Sequence, residues 1–72
     1  MPPARHTTYA RHASELRELR LDAALTPDEM AEQLSIRTGR ELEPETVMQL
    51  ENGSLPIPAD ILDAARATHL EA

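Results

Sequence analysis

Sixteen large aliphatic residues (Leu, Ile, Val and the internal Met) recur along this 72-residue chain mostly at helical spacing, seldom in alternation. That periodicity restricts the fold to packed helices and leaves no run that reads as a strand. From Tyr9 a stripe passes through Ala13, Leu16, Arg20 and Ala23 in steps of four and three, the repeat of one helical face. It predicts a first helix over 9–24. Residues 1–8, with two prolines, two threonines and no large aliphatic after Met1, read as a flexible N-terminal arm.

Punctuation divides the rest. Thr26-Pro27-Asp28-Glu29 is a helix start: Thr26 caps, Pro27 suits the first turn, and Glu29 completes a capping box. Met30, Ala31 and Leu34 then form the inner face of a helix from 27 to 37 or 38, stopped by Gly39 in the left-handed conformation. Glu43-Pro44-Glu45 opens a third, short helix that buries Val47 and Leu50 and ends at Asn52-Gly53. Pro58 opens a fourth, with Ile61, Leu62, Ala64 and Ala65 inward, fading near His69. The chain reads as all-α, with no internal repeat and one domain over 9–72.

So short a chain buries only about 60% of its unfolded surface, and small domains usually add a disulfide, a metal or a partner. There is no Cys, which excludes disulfides, cysteine zinc sites and thiol catalysis. His6, His12 and His69 form no i, i+4 metal pair, and no metal or cofactor is expected. Ser14, Ser35 and Ser54 lie in no nucleophile-elbow context and no glycine-rich phosphate loop exists, so the chain does not read as an enzyme. No apolar run approaches the roughly 20 residues of a membrane span, and the N-terminus lacks a signal-peptide core; the expectation is a cytoplasmic protein with no membrane contact. The lone aromatic, Tyr9, argues against base-stacking sheet modules.

Leu16-Arg17-Glu18-Leu19-Arg20, Leu25-Thr26-Pro27-Asp28-Glu29-Met30-Ala31 and Val47-Met48-Gln49-Leu50-Glu51-Asn52-Gly53 follow one another in an order that resembles the lambda-repressor-like (Cro-type, XRE) helix-turn-helix family. Pro56-Ile57-Pro58-Ala59-Asp60-Ile61-Leu62 with Ala65 looks like that family's fourth helix. The resemblance spans roughly 16–70 and is most specific at Leu-Glu-Asn-Gly. It implies a compact four-helix domain whose third helix enters the DNA major groove. Its readers would be Pro44, Glu45, Thr46 and Gln49, with Asn52 on a phosphate. Gln49 suits adenine, Thr46 a base or thymine methyl, and Glu45 a cytosine amino group. The resemblance also pairs Arg20, on the apolar stripe of helix 1, with Glu51; otherwise Arg20 snorkels to water. The fifth helix usual in the family is absent, which leaves self-association through helix 4, or cover from the Tyr9 end, as ways to shield it.

Charge points two ways. The chain carries −6, and all seven cations are Arg. Residues 1–20 hold four arginines against two glutamates, while 43–72 hold one arginine against six acids. Arg5 in the arm, Arg11 and Arg17, with Arg37 and Arg40 in the long loop, are phosphate candidates. Yet Glu41, Glu43 and Glu45 precede or open helix 3, Asp28 and Glu32 lie on helix 2, and Pro27 occupies a position where many family members carry a glutamine phosphate clamp. The segment from Ser35 to Glu43 is about six residues longer than a turn of three or four. Two functions follow. One is a small DNA-binding transcriptional regulator of the repressor type, by family analogy from a phage or mobile element, acting on duplex DNA as a homodimer. The other is a protein-binding module whose acidic helix 3 docks on a basic partner such as a transcription-machinery subunit or another regulator.

Overall fold

A computed structural model describes the backbone of residues 3–71 and side chains from Arg11 to Glu71. It holds four helices and, among the described residues, no strand: α1 (Pro3–Asp22), α2 (Pro27–Thr38), α3 (Pro44–Glu51) and α4 (Ala59–Glu71). Helix α1 begins at Pro3, so residues 3–8 extend it by almost two turns where an arm was expected. Proline is compatible with a first helical turn, whose N–H groups have no partner inside the helix. The side chain of Tyr9 lies outside the described residues.

The ends of α1 and α3 close in one way. After α1, Leu25 N–H donates to Arg20 O (3.1 Å) and Ala24 N–H to Leu21 O (3.0 Å), with Ala24 left-handed at φ 59°. After α3, Ser54 N–H donates to Gln49 O (3.0 Å) and Gly53 N–H to Leu50 O (3.4 Å), with Gly53 at φ 82°. Both are Schellman closures, and only the second uses glycine. Helix α2 starts with the capping box: Glu29 N–H donates to Thr26 Oγ1 (3.1 Å) and Thr26 N–H to Glu29 Oε1 (2.8 Å). It runs to Thr38, whose hydroxyl donates to Leu34 O (2.7 Å), and stops at Gly39, φ 74°.

The long segment after Ser35 is therefore divided between the last turn of α2 and a connection over 39–43. That connection is pinned inward, because Leu42 N–H donates to Ser35 Oγ (3.0 Å) and the Leu42 side chain packs against the core. Helix α4 begins at Ala59, one residue after Pro58, and continues past His69 to Glu71.

Leu16, Met30, Leu34 and Val47 are fully buried and meet Ala31, Leu50, Ile61, Ala64 and Ala65 in one core to which every helix contributes. Every seam except α2–α3 also carries an arginine that grips a carboxylate with two nitrogens. Arg20 Nε and Nη2 donate to Glu51 (2.7 and 3.0 Å), joining α1 to α3. Arg66 holds Glu15 (2.8 and 3.1 Å), joining α4 to α1. Arg40 holds Asp60 (2.7 and 3.1 Å), and Arg37 holds Glu71, fastening α2 and its connection to α4. Guanidinium makes this two-point grip and ammonium does not, which gives a structural reason for Arg in place of Lys.

Candidate nucleic-acid interface

Helix α3 has two turns, and its sequence divides them cleanly. Val47 and Leu50 face the core, and Glu51 leans back to Arg20. At 100° per residue the opposite side falls to Met48, Asn52, Glu45 and Gln49, in that order around the helix. All four are exposed. Thr46 borders Gln49 at one edge and is half-buried; Pro44, also half-buried, occupies the first turn, where it needs no N–H partner. The proposed readers thus share one surface, Glu45 and Gln49 fully and Thr46 at its margin.

Met48 is the addition that sequence reasoning missed. It is 54% exposed although it stands between two core-directed residues. Its position 100° from Val47 was the available signal, obscured because methionine is ordinarily counted with the core.

Beside this surface lies a cleft of about 300 Å³ lined by Arg17, Arg20, Pro27, Met48, Glu51 and Asn52. Its floor is the Arg20–Glu51 pair, whose side chains are 13% and 8% exposed. The third guanidinium nitrogen, Arg20 Nη1, donates to Leu25 O (3.0 Å), so this cation is fully engaged. Its hydrogen bonds to Glu51 raise its pKa further, against the cost of burial. Arg17 is exposed on the rim and Arg11 is exposed farther up α1. Asn52 uses its side-chain oxygen to accept from Ser54 N–H (2.9 Å) and Ser54 Oγ (2.6 Å), an Asx turn that shapes the exit from α3. The remaining side-chain NH₂ is what Asn52 has left to offer a phosphate.

The other phosphate candidates are placed differently. Arg37 and Arg40 do not stand beside Asn52 in the α3 cleft; both grip α4, through Glu71 and Asp60. Proximity in sequence to the α2–α3 connection suggested a DNA-facing role, but Arg37 in the last turn of α2 and Arg40 just past Gly39 both turn to carboxylates of α4. The hydrogen bonds from Arg37 and Arg40 hold Glu71 and Asp60 below the usual carboxylate range, and those from Arg66 do the same for Glu15. Asp28, Glu32, Glu41 and Glu43 are exposed around α2 and the start of α3. Among the described residues no cluster of three His, Asp or Glu could hold a metal, and no helix is long and apolar enough to cross a membrane.

Comparison with known proteins gave no match: no family model, no curated protein and no solved structure proved similar to this chain.

Proposed function

We propose that this chain is a small DNA-binding transcriptional regulator of the lambda-repressor-like helix-turn-helix type, with α3 in the major groove. The observation that carries the reading is the outward face of α3, where Gln49 and Asn52 stand in the open with Arg17 on the adjoining cleft. A short helix whose free side offers an amide to base edges, next to a cation for the backbone, is what groove reading requires. The order of the sequence blocks and the Arg20–Glu51 pair are in keeping with that family. In this reading Gln49 contacts adenine, Glu45 and Thr46 flank it, and Arg17 and Arg11 contact phosphates. Repression from a phage or mobile element belongs to the same proposal and rests on family analogy alone.

A second reading draws on two specific observations. Met48, an adaptable apolar side chain, lies exposed beside Glu45. Four of the seven arginines are spent on carboxylates inside the fold. Both favour docking of α3 on a basic protein.

Neutralising the first turn of α3 separates the two. Glu43 and Glu45 are placed where the helix dipole stabilises carboxylates by about 0.3–1 kcal/mol each, so their presence has a structural cause. If α3 enters a groove, the Glu43→Gln, Glu45→Gln double variant binds non-specific duplex DNA more tightly, because repulsion from phosphates is relieved. If α3 docks on a basic protein, association slows and loses salt dependence. The measurement is DNA affinity at two salt concentrations with helicity matched by circular dichroism. Unchanged affinity removes α3 from the groove.

A further inference from the structure

Met48 is an apolar side chain on a face that is otherwise polar. Around the axis of α3 it is followed by Asn52, Glu45 and Gln49, which are exposed and end in hydrogen-bonding groups. Met48 also lines the cleft beside that face, together with Arg17, Pro27 and Asn52. Covering an exposed thioether is favourable only against another apolar group, because a polar groove edge would lose its water and gain no hydrogen bond in return. Among the base edges of the major groove, the thymine C5-methyl is the one apolar group.

Given α3 in the major groove, the reading on which this rests, we propose that Met48 is a specificity-determining residue that reads the C5-methyl group of a thymine. Its unbranched, adaptable chain can follow a methyl at the groove wall. Position supports the same assignment. The C5 edge of a pyrimidine is the part of its groove edge nearest its own backbone, and Met48 is on the side of α3 where Arg17 and Asn52 are placed for phosphate. Met48 and Gln49 differ by about 100° around a helix about 10–12 Å across, so their ends stand roughly 8 Å apart. That exceeds two base-pair steps of about 3.4 Å, so this thymine is not the partner of the adenine read by Gln49. Thr46, the other candidate for a methyl contact, lies about 160° from Met48 at the far edge of the face.

The test begins with selection of a bound sequence from a randomised duplex library at low salt, using the full chain. In the enriched duplex each thymine is replaced in turn by deoxyuridine, which removes the methyl and keeps the hydrogen-bonding edge. Affinity is measured by fluorescence anisotropy for wild type, Met48→Ala and Thr46→Ser, with helicity matched by circular dichroism. At one thymine the wild type loses roughly fourfold on deoxyuridine, the worth of one covered methyl. Met48→Ala, which keeps helix propensity at an exposed position, binds thymine and deoxyuridine there alike. Thr46→Ser keeps the fourfold difference at that thymine. An enriched duplex in which no deoxyuridine matters overturns the inference and leaves α3 in the groove. So does a difference that survives Met48→Ala or disappears in Thr46→Ser. A selection that enriches no duplex overturns the inference together with the reading it rests on, and favours a protein partner for Met48.

Discussion

Arg20 is a cation on the apolar stripe of α1, and its environment is complete: two nitrogens on Glu51 and one on the Leu25 carbonyl. Removing one charge from a pair this enclosed strands the other. Glu51→Gln is expected to cost on the order of 3 kcal/mol, a large share of what so small a domain has. Urea unfolding followed by circular dichroism measures it, and a loss below about 0.5 kcal/mol would mean that water already solvates the guanidinium. Arg20 was legible because a charge on an apolar stripe demands an explanation. Ala24 was not, since alanine carries no mark of a left-handed backbone, yet it takes φ 59° at the α1 closure. Glycine adopts that conformation without the Cβ penalty. Ala24→Gly is therefore expected to stabilise the domain by about 0.5–1 kcal/mol, seen as a higher urea midpoint with an unchanged slope. A lower midpoint would show that chain entropy outweighs the relieved strain.

At the scale of elements, legibility followed how local each cause is. The capping box places the start of α2 within four residues, and Gly39 marks its end, so both bounds could be read directly. The start of α1 could not, because prolines and threonines near a terminus suit a loose arm and a first helical turn alike. The arginine clamps were also hidden, apart from Arg20–Glu51: Glu15–Arg66 and Arg37–Glu71 join residues 51 and 34 positions apart. Nothing local pairs them. Three of these carboxylates, Glu15, Asp60 and Glu71, titrate lower in the folded chain than they would unfolded. They therefore stabilise the fold at neutral pH, and this contribution is lost as the pH falls below about 4 through their depressed values. The urea midpoint should drop between neutral pH and acid. The combined Glu15→Gln, Asp60→Asn, Glu71→Gln variant should show a flatter profile from a lower starting point. Equal drops in wild type and variant would mean that the pairs are too well solvated to matter.

For the whole molecule, the deciding quantity is how many cations remain for an outside anion. Net charge is −6, and four of seven arginines already hold carboxylates that brace α1, α3 and α4 or fasten α2 and its connection. Composition alone concealed this division, because arginines that brace a fold and arginines that meet phosphate are identical in sequence. Arg11 and Arg17, both exposed on α1, are the described candidates for phosphate. Each neutralised phosphate contributes roughly −0.9 to the slope of log affinity against log salt, so Arg11 and Arg17 together should contribute about −2 to it. Arg11→Ala and Arg17→Ala should each flatten it by about one and weaken all sequences alike. Arg37→Ala and Arg40→Ala should instead lower the urea midpoint and leave the slope in place, since their work is to hold α4. The comparison is a salt titration of DNA affinity beside a urea curve for each of the four variants. A slope that changes with Arg37 or Arg40, at unchanged stability, would mean that DNA draws these arginines away from Glu71 and Asp60 and that the bound fold differs from the free one.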